Sequence, residues 1–154
     1  HARLTLAQAL LAAGRPIDAI VHFEAAAQLG PLDAPALSAF GTALLQTGRL
    51  PAAIAHYRQA VAIDPRLAQA HYNLGLALAR SGQLPEATVA LRECTRLEPA
   101  NVAARVNLGN VLLLGRRPAE AIVEYEAALH LQPGDAQIQA NLERARILQR
   151  RPGP

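Results

Sequence analysis

The sequence predicts an all-α solenoid built from antiparallel helix pairs, and three observations carry that reading. Pro31, Pro65, Pro99 and Pro133 stand 34 residues apart. Ala19, Ala53, Ala87 and Ala121 keep the same beat, as do Phe23, Tyr57, Leu91 and Tyr125, then Ala26, Ala60, Cys94 and Ala128, then Gly41, Gly75 and Gly109. Between these marks, apolar residues recur at helical spacing in stretches of about a dozen residues. Coincident registers with a period of about 20 to 50 residues define a tandem array rather than one large core.

Each unit divides in two, as residues 34–47 and 50–63 show. Gly48 and Arg49 separate them, and Pro51 lies just inside the second stretch. Glycine suits the left-handed turn after a helix, and proline suits a first turn whose N–H has no intrahelical partner. The prolines on the 34 beat close the second helix of each unit, because proline cannot continue one. The expected units are 1–33, 34–67, 68–101 and 102–135, with a capping helix over 136–150. Together they form a single domain over 1–150, and 151–154 reads as a tail. Arg144, Arg146, Arg150 and Arg151 give the cap the wet outer face that the end of a solenoid needs.

Gly41, Gly75 and Gly109 fall mid-helix, where glycine costs roughly 0.5–1 kcal/mol against alanine. A close helix–helix approach offsets that cost. The expectation is that Gly75 admits Ala87 of the second helix, and that the aromatic register fills the space between units. These are packing residues.

Taken together, the residues resemble the tetratricopeptide repeat (TPR) family. The third unit carries Asn73-Leu74-Gly75, Ala87, Leu91, Cys94 and Pro99, and the fourth Asn107-Leu108-Gly109, Ala121, Tyr125, Ala128 and Pro133. The resemblance covers nearly the whole chain. Ala7 and Glu143 replace the glycine, Phe40 a leucine and Leu91 an aromatic residue. Gly115 arrives one residue early, and the family's frequent Trp is missing. The resemblance implies a right-handed superhelix whose first helices line a concave groove and whose second helices form the convex back.

Composition narrows the function. A formal net charge of +3 is too small to imply nucleic-acid or membrane binding by itself. The densest apolar run, 111–114, is far short of the ~18–20 residues a membrane span needs. A single cysteine, Cys94, excludes an internal disulfide and is in keeping with a reducing, cytoplasmic setting. It occupies a register otherwise held by alanine and reads as a small buried filler. His1, His22, His56, His71 and His130 show no metal-ligand spacing, and there is no nucleophile motif or phosphate loop. Glu120 and Glu124 lie one turn apart on a solvated face. The sequence therefore predicts no enzyme, no metal and no cofactor.

The surface is uneven. The first helices of the four units contain no Asp or Glu, and of the 12 acids only Glu143 occupies a first-helix position. The implied groove is neutral to basic, with Arg80 and Arg144 its cations, and favours a partner that is acidic or has a free carboxylate. Asn73, Asn107 and Asn141 form another register 34 residues apart, and Asn110 shares the face of Asn107. An amide offers a donor and an acceptor, so such a row can pair with an extended peptide main chain. It resembles the asparagine ladder in the repeat arms of certain glycosyltransferases. Tyr72, Leu76, Leu45, Val106 and Leu113 supply apolar pockets between the amides.

The leading function is a scaffold that binds an extended protein segment in the groove. A second reading is the substrate-recruiting arm of a larger enzyme such as a glycosyltransferase. A start inside a helix, with no Met at residue 1, fits a piece of a longer chain. RNA binding is the third, against which few aromatic residues and low charge weigh. The two-carboxylate clamp of heat-shock co-chaperones is not expected. Tyr72, Leu76 and Val106 stand where its Lys, Asn and Lys belong, and only Asn110 and Asn141 match. Leu4, Leu6, Ala7, Leu10 and Leu11 give the first helix an uncapped apolar pattern that invites a neighbouring repeat or a second copy.

Overall fold

The computed structural model describes residues 2–150, so the expected tail lies outside the described residues. Among them, nine helices follow in sequential antiparallel pairs: α1 (Ala2–Ala12), α2 (Pro16–Ala27), α3 (Ala34–Gln46), α4 (Leu50–Ile63), α5 (Ala68–Arg80), α6 (Leu84–Leu97), α7 (Val102–Leu114), α8 (Pro118–Leu131) and α9 (Ala136–Arg150). These are the helices the period predicts, and α9 is the capping helix.

Two kinds of start alternate. Asp33 and Asn101 cap α3 and α7 by accepting from the Ala36 and Ala104 amides at 2.9 Å. Asp135 does the same for Gln137 and Ile138 at the start of α9. These three caps share one register, in which a short acceptor satisfies otherwise orphaned N–H groups. The helices α2, α4, α6 and α8 have no such cap and place a proline in the first turn instead.

The turns inside the pairs repeat as well. Gly14, Gly48 and Gly82 take φ of 72°, 79° and 78°. Because Gly115 comes one residue early, Arg116 occupies the fourth such place at φ 57°. A side chain there costs about 1 kcal/mol. Arg116→Gly is expected to stabilise the fold by about 0.5–1 kcal/mol after the added freedom of the unfolded chain is counted. A thermal melt a few degrees above the parent's is the expected result, and an unchanged or lower one would contradict the strain.

The chain forms two compact units, His1–Ala77 and Leu78–Pro154. In the first, α1 packs on α2 and α3 on α4, with α2 against α3 and α1 touching α3. Its core holds Ala19, Phe23, Phe40, Ala43, Ala53 and Tyr57, none more than 5% exposed. In the second, α6 packs on α7, α7 on α8 and α8 on α9, around Leu108, Leu112, Ala121, Tyr125 and Ala145. Cys94 is buried there, and burial, aided by Glu98, pushes its thiol up to about 11. It is the inert filler its register suggests.

Gly41 and Gly109 lie against the aromatic ring of the paired helix. A Cβ at Gly41 would lie 2.8 Å from the Tyr57 ring, and one at Gly109 only 2.6 Å from the Tyr125 ring. Tyr57 and Tyr125 thus seat themselves on the glycine of their own helix pair, while Phe23 of the same register stacks on Phe40 of the following repeat. The alanines beside it, Ala53 and Ala121, are fully buried. Gly109→Ala should cost about 1–3 kcal/mol as an overpacked contact. Gly30→Ala, where nothing lies within 4 Å, is the near-neutral control. Equal melts for the two variants would remove the packing role.

One histidine joins the core of the first unit. Phe23 stacks on Phe40 with centroids 5.2 Å apart, and Phe40 on His56 at 4.3 Å. The buried Nδ1 of His56 has no hydrogen-bond partner. Burial lowers its pKa below the usual 6.5, against a hydrogen bond to Gln59 that raises it. The folded state therefore binds this proton less readily than the unfolded chain. The stability contributed by the neutral ring is full above pH 6.5 and is lost as pH falls below it. His56→Phe should extend the stack and flatten the decline in melting temperature between pH 7 and pH 5. An equally steep decline would place the acid sensitivity elsewhere.

Candidate groove sites on the first helices

The first helices α1, α3, α5 and α7 contain no acid. Each unit has a cavity that such a helix helps to line, and the two cavities share four equivalent positions 68 residues apart: Thr42 and Asn110, Leu45 and Leu113, Tyr57 and Tyr125, Asn73 and Asn141. In the first unit, a cavity of about 480 Å³ is lined by Thr42 and Leu45 of α3, Tyr57 of α4 and Gln69 and Asn73 of α5. In the second, a cavity of about 230 Å³ is lined by Asn110 and Leu113 of α7, Tyr125 of α8 and Asn141 and Arg144 of α9. Leu114 and Leu148 complete its apolar wall.

The polar groups in these cavities are already arranged. The hydroxyl of Tyr125 donates to Oδ1 of Asn110 at 2.7 Å. Thr42 donates its own proton to the Ser38 carbonyl at 3.0 Å, so the 3.1 Å contact between Tyr57 and Thr42 has tyrosine as donor. Burial pushes the Tyr125 hydroxyl up to about 12, although the nearby Arg144 charge pulls the other way, and burial raises Tyr57 too. Both hydroxyls therefore keep their protons at neutral pH. The amide of Gln69 donates to Oδ1 of Asn73 at 3.0 Å, and that of Gln137 to Oδ1 of Asn141 at 3.2 Å.

Most arginines near acids are committed. Arg105 on α7 pairs with Glu124 at 3.1 Å, both about one-fifth exposed. Glu120 takes Arg92 and Arg117, whose hydrogen bond holds its carboxyl below its usual value. Arg146 reaches Glu126 at 3.0 Å. The glutamates read as a solvated pair are thus members of an ion-pair network. Arg144 is exposed and forms no ion pair or hydrogen bond among the described residues. Its charge is available to a ligand.

The structure brings Asn110, Asn141 and Arg144 into one cavity and puts Asn73 in the other. Leu45 lines the first of these cavities and Leu113 the second. Asn107 and Tyr72 are half-buried and engaged in interactions of their own. Leu76 and Val106 are half-buried, and Arg80 is exposed at the end of α5. Sequence reasoning missed Thr42, the two glutamines and the hydroxyls of Tyr57 and Tyr125. A signal existed: tyrosine at 57 and 125 coincides with a polar residue at 42 and 110, whereas leucine at 91 coincides with leucine at 76. At the other face of the first unit, Ala2, Leu4, Ala26, Leu29 and Leu32 surround an apolar cavity of about 450 Å³. Among the described residues no group of three or more His, Cys, Asp or Glu is placed to hold a metal, and no helix is long and apolar enough to cross a membrane.

Helix pairs on a fixed period, with cavities along their first helices, define an α-helical repeat protein. Models of the tetratricopeptide repeat match residues 1–29, 41–82 and 72–136, and the chain belongs to that family. Among solved structures it is similar to MamA, with 22% identity, a TM-score of 0.89, and coverage of 96% of this chain and 80% of that one. It is similar to YrrB, described as a TPR protein with an unusual peptide-binding site, at 21% identity and TM-score 0.80, covering 90% and 71% of the two chains. The first TPR of Spaghetti (RPAP3), bound to the HSP90 peptide SRMEEVD, is similar at 20% identity and TM-score 0.71, covering 76% and 93%. No curated protein sequence matches the chain.

Proposed function

We propose that the protein is a non-catalytic interaction scaffold whose first helices bind an extended peptide segment. The observation that carries this is the cavity in which Asn110, Asn141 and the unpaired Arg144 meet beside Leu113 and Leu148. Amide donors and a free guanidinium suit a main-chain carbonyl or a carboxylate, and the leucines suit an apolar side chain next to it. Asn73, in an equivalent cavity of the first unit, and Asn107 belong to the same amide row. The absence of acids from α1, α3, α5 and α7 supports a partner that is acidic or ends in a free carboxylate. Arg80 is the second cation of this surface. Peptide binding by YrrB and by the RPAP3 repeat lends the reading support from the same fold.

The test begins with a peptide array, followed by titration of the tightest peptide. Asn73→Ala, Asn107→Ala and Asn141→Ala should each cost about 0.5–1.5 kcal/mol of binding, with little dependence on peptide side chains. Arg144→Ala and Arg80→Ala should weaken acidic peptides most, and mainly when the screening length exceeds about 10 Å at low salt. SRMEEVD serves as a negative control, since Tyr72, Leu76 and Val106 remove most of the clamp that would hold two carboxylates. Intact affinity in the triple asparagine variant, at an unchanged melt, would sink the ladder. Micromolar binding of SRMEEVD would sink the distinction from the clamp.

A further inference from the structure

The amides of these cavities have been described by what they offer in principle, a donor and an acceptor each. Their surroundings remove half of that offer. In the second unit, Oδ1 of Asn110 is taken by the hydroxyl of Tyr125, which is fully buried. If the amide were turned over, its NH₂ would face the tyrosine oxygen, and the hydroxyl proton would lose its acceptor in a buried place. The orientation is therefore fixed by the core, and what Asn110 has left to offer is its NH₂. In the first unit the same position is Thr42, whose proton goes to the Ser38 carbonyl while its oxygen receives the proton of Tyr57, so it keeps no donor and that cavity does not share the polarity. Oδ1 of Asn141 accepts from the amide of Gln137 at 3.2 Å, which turns its NH₂ away from that partner. Arg144, in the register of Thr42 and Asn110, adds only donors.

We propose that the site of the second unit reads the carbonyl edge of an extended chain and ignores its N–H groups, with Tyr125 as the positioning residue that sets this polarity. The inference rests on the peptide-binding reading and specifies its ligand class. A two-sided ladder would need an N–H at each contact and so would reject proline there. A donor-only site accepts proline and N-methylated residues, provided that a carbonyl or carboxylate oxygen reaches the amide. The ligand class is thus an extended segment, proline included, recognised through its acceptors.

The experiment takes the tightest peptide from the array and replaces its residues one at a time with their N-methyl forms, which deletes the N–H and keeps the carbonyl. Binding is measured to the whole chain, to Tyr125→Phe and to Asn110→Ala/Asn141→Ala. Against the parent protein, N-methylation should cost less than about threefold at residues whose methylation leaves the NH₂ resonances of Asn110 and Asn141 still shifted by the peptide. In Tyr125→Phe, the ring still covers Gly109 but Asn110 is free to turn. There the unmethylated peptide should come to outbind its N-methyl form near Asn110, a change in ratio that loss of stability alone does not produce. Losses of about tenfold or more on N-methylation next to these asparagines in the parent protein would overturn the polarity while leaving peptide binding intact. A peptide whose affinity is untouched by Asn110→Ala/Asn141→Ala would overturn the groove reading and this inference with it. An N-methyl ratio in Tyr125→Phe equal to the parent's would overturn the role of the hydroxyl.

Discussion

The seating of a tyrosine ring on a helical glycine is the contact on which the rest of this structure depends. Gly41 and Gly109 leave no room for even a methyl group beneath Tyr57 and Tyr125. That close approach lets α3 lie on α4, and α7 on α8, at a distance at which Ala53 and Ala121 are also fully buried. A glycine in mid-helix weakens the isolated helix by roughly 0.5–1 kcal/mol. The aromatic area buried above it more than offsets that, since burying a large side chain contributes about 1.5–3 kcal/mol.

The same contact reaches the cavities of the two units. A tyrosine differs from a phenylalanine by one hydroxyl, and here that hydroxyl emerges at the cavity edge, where it meets Thr42 or Asn110. The residue that holds the helix pair together also decides which way the Asn110 amide faces at the cavity edge. The long helix α9 extends this logic: it carries Glu143 in the glycine register and uses the register of Asn110 to present Arg144 instead.

Much of this was legible in the sequence, for a physical reason. A repeat imposes its period on every residue that touches a neighbouring unit, so Pro31, Pro65, Pro99 and Pro133 mark the helix ends, and α9 begins and ends where the pattern says. The acid-free first helices and the row of asparagines were equally visible. Side-chain direction was not. Whether Gly109 meets Ala121 or Tyr125 depends on a rotation of the helix that spacing alone does not fix. The strained Arg116 follows from a one-residue shift of Gly115 that reads in sequence as a minor departure. The commitment of Glu120 and Glu124 to Arg92, Arg117 and Arg105 joins residues from three other positions of the chain, and no local pattern announces it. The free state of Arg144 is the complement of those pairings, so it became clear only with them.

The central claim is that glycine and tyrosine are coupled through direct contact, and a double-mutant cycle on Gly109→Ala and Tyr125→Leu tests it most directly. Leucine already stands at the corresponding place in the third unit, as Leu91. If the ring is what leaves no space for a Cβ, alanine should be costly beneath tyrosine and nearly free beneath leucine, giving a coupling of about 1 kcal/mol or more in denaturant titrations. Additive effects, within about 0.3 kcal/mol, would contradict the account and leave the glycine register without this explanation.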